Sequence, residues 1–322
     1  MDITAIRELI ADDLTAIDKV ILKRLKSDVV LINQIGAHIV YSGGKRMRPL
    51  IVLLAARAFG YKGSDHIDLA AVVEFIHTAT LLHDDVVDAS DKRRNKDTAN
   101  ALWGNSASVL SGDFLYSRSF EMMVDVGILR VLDILSHASN QIAEGEVLQL
   151  LNCNNPETTE EEYMKVIYRK TATLFEAGAK LGVVLVDGTA DEEAAMADYG
   201  RHLGTAFQLI DDVMDYSSSS EEMGKNVGDD LAEGKPTLPL IRAMEQGTEE
   251  QKKIIQSAIE HGGLEHIDAV TEAIKSTDAI EYTAAAAERE ADKAKAALNV
   301  LPPSPYRDAL DSLVDLSVKR SS

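Results

Sequence analysis

The sequence predicts an all-α fold with roughly ten or more helices. Apolar residues recur at three- and four-residue intervals over long stretches, for example residues 69–87 and 161–178. The seven prolines fall at only a few points, which leaves long proline-free stretches for helices. No stretch of useful length alternates polar and apolar residues, and no Asn-Gly or Asp-Gly turn joins two β-branched runs. We therefore expect helices to be the dominant regular elements.

Local signals place individual elements along the chain. Thr158, with Glu161 three residues later, predicts a capping box at the start of a helix just after Pro156. The alanine-rich stretch 283–298 has a strong intrinsic helix propensity and predicts a late helix. Four consecutive serines at 217–220 predict a surface loop, since the run is short for a linker. No shift in composition marks a boundary, so we expect a single domain over residues 1–322.

Composition and charge exclude several classes of protein. Of the 322 residues, 45% are hydrophobic and 27% are charged, which is typical of a folded protein rather than a disordered one. The net charge of −20 argues against nucleic-acid binding, and an anionic substrate would need local cations or metal ions. A single cysteine, Cys153, allows no internal disulfide, and we find neither a signal peptide nor a membrane-spanning apolar run. We therefore expect a cytoplasmic protein without an integral membrane segment.

Two copies of the pattern Asp-Asp-x-x-Asp each close an apolar helical stretch. Residues four apart share a helix face, so Asp84 lies beside Asp88, and Asp211 lies beside Asp215. Carboxylates crowded into one turn repel one another unless cations neutralise them, and a few oxygen ligands per ion suit Mg²⁺ that also binds substrate phosphates. The candidate catalytic residues are Asp84, Asp85, Asp88, Asp211, Asp212 and Asp215. We call residues 84–88 the first acidic motif and residues 211–215 the second.

Basic residues surround these motifs in the sequence, although the protein as a whole is acidic. The Gly-rich segment 43–49 carries three cations ahead of a helix, and the fork of an arginine suits a diphosphate. His77 lies two helical turns before Asp84, about 10 Å along the same face, and Gln208 lies three residues before Asp211. Further candidates are Arg93, Arg94, Lys170, Thr171, Lys225 and Lys235. Together they predict a site for polyanions with metal ions.

These motifs, in this order and over nearly the whole chain, resemble the trans-isoprenyl diphosphate synthases. The resemblance rests on the segments 44–48, 84–94, 170–171, 207–215 and 234–237. The sequence of residues 75–83 is most similar to that of bacterial octaprenyl diphosphate synthases. It implies a helical bundle around a deep central cavity, a homodimer, and two or three Mg²⁺ per active site. It also implies that Asp84, Asp88, Asp211 and Asp215 hold the metal ions.

The resemblance further implies two diphosphate sites. The diphosphate of isopentenyl diphosphate would be bound by Lys45, Arg48, His77 and Arg94. The allylic diphosphate would be bound by Arg93, Lys170, Thr171, Gln208, Lys225 and Lys235. Ionisation of the allylic C–O bond and attack by the double bond of isopentenyl diphosphate would then lengthen the chain by five carbons.

Product length is expected to depend on how far the prenyl tail descends beside the helix of the first acidic motif. Ala79 and Thr80, one turn below Asp84, are small and leave that path open. Ile76 and Phe75 lie about two turns below Asp84, and a later helix offers a floor. The candidate floor residues are Phe120, Met122 and Met123. We therefore expect a long product, and the family resemblance alone indicates eight isoprene units from a farnesyl primer, for a quinone side chain.

Four other functions share some of these features. A synthase of another chain length, from geranylgeranyl to decaprenyl, would carry the same motifs. A regulatory subunit of a heteromeric synthase would be expected to lose metal ligands, whereas both motifs are intact here. A His-Asp phosphohydrolase, suggested by His83-Asp84, lacks further spaced histidines, and a terpene cyclase would carry Asn, Ser or Glu ligands in its second motif.

Overall fold

The structure is a computed structural model that describes residues 1–41, 44, 46–93, 96–217, 228–262 and 264–319. The prediction of an all-α fold with ten or more helices is confirmed. The helices up to residue 152 are α1 (Ile3–Leu9), α2 (Ala11–Arg24), α3 (Val30–Tyr41), α4 (Met47–Ala58), α5 (Asp65–Val87), α6 (Ala99–Trp103), α7 (Asn105–Val126) and α8 (Leu129–Asn152). The later ones are α9 (Glu160–Ile167), α10 (Thr173–Val184), α11 (Ala190–Ser217), α12 (Asp229–Ala232), α13 (Leu238–Gln246), α14 (Glu249–His261), α15 (Ile267–Ser276), α16 (Ala279–Ala297) and α17 (Pro305–Val318).

Two of the predicted helices differ in detail from the structure. The capping box before α9 is formed by Thr159 and Glu162, one residue later than predicted. The Thr158 hydroxyl instead donates to the carbonyl of Asn155, within the turn that precedes the helix. The predicted helix over 161–178 is interrupted by a π-helical turn, Tyr168–Ala172, between α9 and α10. The alanine-rich stretch forms α16 as expected.

Within the described residues, strands are limited to one short antiparallel pair, β1 (Lys92–Arg93) and β2 (Lys96–Asp97). Lys92 pairs with Asp97, and Arg93 pairs with Lys96. The sequence did not predict this pair because two-residue strands are too short to show a period of two. Among the same residues, no helix is both long and apolar enough to cross a membrane.

Contacts divide the chain into two compact units. The first unit consists of Met1–Ser139, Leu174–Gly200 and Ala297–Leu313, and the second of Asn140–Thr173, Arg201–Ala296 and Val314–Ser322. The prediction of one domain over residues 1–322 stays a prediction. The first acidic motif belongs to the first unit, and the second acidic motif belongs to the second.

Apolar helices build the core of the first unit. Helix α5 packs against α2, α4 and α7, and residues 50–56 of α4 are fully buried. This explains why α4 and α5 are apolar around most of their circumference rather than along one stripe.

The second unit has two clusters of buried apolar side chains. One contains Tyr163, Ile167, Leu209 and Leu238 and supports the helix that carries the second acidic motif. The other is built mainly from α13, α14 and α15 and also contains Tyr216.

Candidate active site

The first acidic motif lies at the carboxyl end of α5. Asp88 caps the helix, and its backbone N–H donates to the carbonyl of Asp84 at 2.8 Å. Ala89 has a left-handed backbone (φ 50°), which turns the chain away from the helix axis. Asp84 and Asp88 are half-buried, whereas Asp85 is buried. The two outer carboxylates therefore share a face, as predicted, and the middle one points into protein.

Asp85 is held by Arg93, which belongs to strand β1. Arg93 Nε and Nη2 both lie 2.8 Å from Asp85 Oδ1. Burial raises the pKa of Asp85, and the charge and hydrogen bonds of Arg93 oppose that shift. The amide of Asn100 donates to the carbonyls of Asp85 and Ser90, both at 3.1 Å. The segment after the motif is thus fastened back onto the end of α5.

The structure brings together two of the residues predicted to bind isopentenyl diphosphate. Arg48 Nη1 lies 3.3 Å from His77 Nε2, and the Arg48 guanidinium stacks 4.5 Å from the ring centroid of Phe175. Arg46, at the start of α4, has a left-handed backbone (φ 49°) and contacts Asp18. The other two predicted residues, Lys45 and Arg94, lie outside the described residues.

The residues predicted to affect chain length differ in burial. Ile76 and Ala79 on α5 and Met123 on α7 are buried in the first unit, as are Phe75 and Met122. Thr80 is half-buried and donates its hydroxyl to the carbonyl of His77 at 2.7 Å. Phe120 is 38% exposed, so it does not share the buried environment of the two methionines.

The second acidic motif lies near the carboxyl end of α11. Asp211 is exposed, whereas Asp212 and Asp215 are buried. Asp212 accepts hydrogen bonds from the Tyr163 hydroxyl and, at 2.8 Å, from Gln208 Nε2. Burial raises the pKa of Asp212 well above its usual range, and the charge of Asp230 adds to the shift. In both motifs, therefore, the middle aspartate is buried and tied to the protein.

Asp215 anchors the chain that returns to this helix. The backbone N–H of Gly228 donates to the carbonyl of Asp215 at 3.0 Å, and the N–H of Asp230 donates to Asp215 Oδ2 at 3.4 Å. The predicted site residue Lys225 lies between these segments, outside the described residues.

The π-helical turn carries Lys170 and Thr171. Its extra residue shows in the bond from the N–H of Thr173 to the carbonyl of Tyr168, five residues back. Thr171 donates to Gln208 Oε1 at 3.2 Å, which links the turn to Asp212 through Gln208. A Cβ at Gly145 on α8 would lie 2.6 Å from the backbone nitrogen of Lys170. Only glycine therefore allows α8 to pass this close to the turn.

Lys235 follows Gly234, which, like Gly145, lies where a larger residue would clash with a neighbouring segment. Gly234 has a left-handed backbone (φ 69°), and a Cβ there would lie 2.1 Å from Asn154 Oδ1. Its carbonyl accepts from the N–H of Asn154 at 2.8 Å. The ammonium of Lys235 pairs with Glu233. The Gly-Lys segment is thus held against the turn that follows α8.

Several polar partners of the predicted site residues were not predicted from the sequence. Glu146 pairs with Lys170, with Oε2 2.6 Å from Nζ. Tyr163 donates to Asp212, and Glu233 pairs with Lys235. These residues belong to no recognised motif, and Tyr163 lies 49 positions from its partner. The one signal in the sequence is that Glu146 and Glu233 each adjoin a glycine, Gly145 and Gly234. The structure shows that both glycines closely approach another segment.

The carboxylates of the two motifs suit Mg²⁺ better than a metal ion whose ligands all come from the protein. In the part of the chain that the structure describes, no three His, Cys, Asp or Glu side chains converge as a complete metal site. Mg²⁺ is commonly bound by one or two carboxylates together with waters and substrate phosphates, and each motif offers carboxylates four residues apart. The residues that could hold it are Asp84 and Asp88 in the first unit and Asp211 and Asp215 in the second.

A helical protein with two Asp-Asp-x-x-Asp helix ends and cations suited to diphosphates belongs to a recognisable class, the trans-prenyltransferases. Residues 29–277 match the family model described as Polyprenyl synthetase. The chain belongs to this family, and the predicted prenyltransferase class is confirmed.

Similar proteins agree with this assignment. The chain is 57% identical to octaprenyl diphosphate synthase of Escherichia coli (strain K12), over 99% of each chain. It is 52% identical to octaprenyl diphosphate synthase of Haemophilus influenzae, over 100% of this chain and 98% of the relative. A solved structure of polyprenyl synthase from Caulobacter crescentus CB15, complexed with calcium and isoprenyl diphosphate, has a TM-score of 0.95 at 42% identity. It covers 100% of this chain and 98% of its own.

Proposed function

We propose that this prenyltransferase extends farnesyl diphosphate with successive isopentenyl diphosphates to all-trans octaprenyl diphosphate, the precursor of a quinone side chain. The observation that carries the proposal is the intact pair of acidic motifs in a chain 57% identical, over nearly its full length, to an octaprenyl diphosphate synthase. A regulatory subunit would not need both motifs. Cytoplasmic location stays a prediction from the sequence.

The reaction is proposed to need Mg²⁺, bound by Asp84 and Asp88 and by Asp211 and Asp215 together with the diphosphate of the allylic substrate. When bound, Mg²⁺ supplies positive charge that offsets the charge developing on the departing pyrophosphate. A related polyprenyl synthase binds calcium and isoprenyl diphosphate in the same structure, which supports a divalent ion with the diphosphate. Hard oxygen ligands suit either ion, and the small number of protein ligands favours Mg²⁺.

Three cations of the chain are proposed to bind the allylic diphosphate. Arg93, Lys170 and Lys235 each contact a carboxylate of the protein, so their side chains are already ordered before substrate binds. Ordered donors lose little conformational entropy on binding and stabilise the charge of the leaving pyrophosphate. Thr171 and Gln208 add neutral hydrogen-bonding groups, and Lys225 a further cation.

Arg48 and His77 are proposed to bind the diphosphate of isopentenyl diphosphate, with Lys45 and Arg94. The stacking of Arg48 on Phe175 fixes the plane of the guanidinium, which suits bidentate donation to a phosphate. The double bond of isopentenyl diphosphate then attacks the allylic carbon as its C–O bond breaks. The electron pair of that bond leaves with pyrophosphate, which also takes the proton lost from the new chain.

Chain length is proposed to be set beside α5. Ala79 and Ile76 are buried in the first unit, so larger side chains there would restrict a descending prenyl tail. Thr80 and Met123 belong to the same proposed path.

We also propose a homodimer. Leu110 and Val124 on α7 are 65% and 67% exposed. They are 14 residues apart, about four helical turns, and therefore lie on one face of the helix. Phe120 and Val124 line a surface cavity of about 560 Å³ in the same unit. Large exposed apolar side chains on one face of a helix indicate a protein interface. A second copy of the chain, related by two-fold symmetry, would cover this face.

The direct test is prenyl transfer by the purified protein. We expect farnesyl diphosphate, labelled isopentenyl diphosphate and Mg²⁺ to give pyrophosphate and a C40 product by mass spectrometry. Another chain length would overturn the octaprenyl assignment alone. Failure to release pyrophosphate, with folded protein, would indicate a regulatory subunit.

A further inference from the structure

We propose that Tyr163 is a positioning residue of the second acidic motif, whose hydroxyl fixes the Asp212 carboxylate and thereby the turn of α11 that presents Asp211 and Asp215 to metal. The inference rests on the proposed function of the motif in binding metal. Tyr163 itself contacts neither metal nor substrate in this proposal.

The two oxygens of Asp212 are shared between two donors of the protein. The Tyr163 hydroxyl donates to Oδ2, and Gln208 Nε2 donates to Oδ1 at 2.8 Å. Gln208 is one turn before Asp212 on the same helix, so it constrains the side chain locally. Tyr163 comes from α9 and is the contact that ties the carboxylate to another element.

The position of the Tyr163 ring is fixed independently of the motif. The side chain is 5% exposed and packs in the cluster with Ile167, Leu209 and Leu238. The capping box of Thr159 and Glu162 defines where α9 begins, at Glu160, three residues before the tyrosine. The hydroxyl is therefore delivered to Asp212 by the packing of the core.

Loss of this hydroxyl leaves a buried carboxylate oxygen without its donor. Asp212 is 1% exposed, so water cannot replace the bond without a change in packing. A shift of Asp212 also moves its neighbour Asp211 and the following turn with Asp215. The expected consequence is weaker metal binding at this motif, because partners that orient a metal site commonly contribute to its affinity.

The chain offers a matched control. Tyr199, also on α11, is fully buried, and its hydroxyl donates to the carbonyl of Leu310 at 2.9 Å. Tyr163→Phe and Tyr199→Phe thus each remove one buried hydroxyl and one hydrogen bond. Both variants are expected to lose stability in urea unfolding, but only one touches the motif.

The experiment measures Mn²⁺ binding by electron paramagnetic resonance, with inorganic pyrophosphate present and no prenyl substrate. We expect Tyr163→Phe to bind Mn²⁺ about ten-fold more weakly. We expect Tyr199→Phe to bind it as the unchanged protein does. The Mg²⁺ concentration for half-maximal prenyl transfer should rise in the same variant, with KM for isopentenyl diphosphate at saturating Mg²⁺ unchanged. Unchanged Mn²⁺ affinity in Tyr163→Phe, or an equal loss in both variants, overturns the proposal.

A second comparison separates positioning from general damage. In an Asp212→Ala background, Tyr163→Phe should cause no further loss of Mn²⁺ affinity, because the side chain that accepts its hydrogen bond is gone. An additional loss there would mean that the hydroxyl acts in another way. If the unchanged protein neither binds Mn²⁺ nor transfers prenyl groups, the proposed function fails instead, and that outcome is distinct from either result for Tyr163.

Discussion

Arg93 directs two nitrogens onto a single carboxylate oxygen of Asp85, each at 2.8 Å. The sequence predicted Arg93 as a ligand for the allylic diphosphate and Asp85 as a member of an acidic motif, but it did not predict that they pair. The pair joins the end of α5 to the short antiparallel strands β1 and β2. It orders a cation at the site while it occupies the middle aspartate of the motif.

This pairing predicts that stability and activity respond separately to substitution. Arg93→Ala should destabilise the fold by about 1–2 kcal/mol, because it leaves the buried Asp85 carboxylate without its partner. The loss is limited because the Arg93 side chain is itself partly exposed to solvent. Adding Asp85→Asn should restore much of that stability but not the activity. Urea unfolding and the KM for farnesyl diphosphate measure the two effects. Equal recovery of both would contradict a role of Arg93 in substrate binding.

The first aspartate of each motif should matter for turnover rather than for folding. Asp84→Ala and Asp211→Ala should each lower kcat on the order of 100- to 1,000-fold, because each removes a proposed ligand of the charge-stabilising metal. Circular dichroism should remain unchanged. Asp292→Ala, at an exposed position on α16, is the control and should retain full turnover. Near-normal rates in the first two variants would refute their metal roles.

A larger residue at position 79 should shorten the product. Ala79 is fully buried, so Ala79→Tyr blocks the proposed path of the tail beside α5 and costs about 1–3 kcal/mol through overpacking. Mass spectrometry of the products should show fewer isoprene units. Ala79→Ser keeps the volume and should leave the distribution unchanged. The proposed path is wrong if the tyrosine variant is folded and still makes the original product.

A charge on the exposed face of α7 should dissociate the proposed homodimer. We expect Leu110→Glu or Val124→Glu to elute as a monomer in size-exclusion chromatography with light scattering, because burying the new carboxylate at an interface is costly. Leu22→Glu, at a 51% exposed position on α2, is the control and should leave the dimer intact. If the unchanged protein is itself a monomer, the homodimer proposal is wrong.

Asp13 should make stability depend on acid pH. Burial by itself raises its pKa, but Arg57 and His66 outweigh that effect and the pKa is lowered overall. Arg57 holds the carboxylate through two hydrogen bonds, of 2.8 and 2.6 Å. A lowered folded-state pKa stabilises the protein above the unfolded pKa of about 3.9, and this contribution is lost as pH falls through the folded value.

The matching variant is Asp13→Asn, which should be less stable by about 2 kcal/mol at pH 7. The difference from the unchanged protein should shrink as the pH falls below about 4. Urea unfolding between pH 7 and pH 3 measures this convergence. A difference that stays constant over that range would contradict the charge-based explanation.

The sequence by itself determined what depends on local periodicity. The helical class follows from apolar spacing, and the shared faces of Asp84 with Asp88 and of Asp211 with Asp215 follow from 3.6 residues per turn. The diphosphate-binding candidates could be identified from motifs that are each only a few residues long. Exact helix starts were less predictable, since Thr158 and Thr159 are chemically alike and only the turn before them selects one.

Tertiary structure alone decided which aspartates of the two motifs are buried, namely Asp85, Asp212 and Asp215, and what holds them. Periodicity gives the direction of a side chain around its own helix, but not which distant residue meets it there. Tyr163 reaches Asp212 because packing brings α9 against α11, and Glu146 meets Lys170 because Gly145 lets α8 approach a π-helical turn. Such contacts depend on the packing of whole elements, and no short stretch of sequence encodes them.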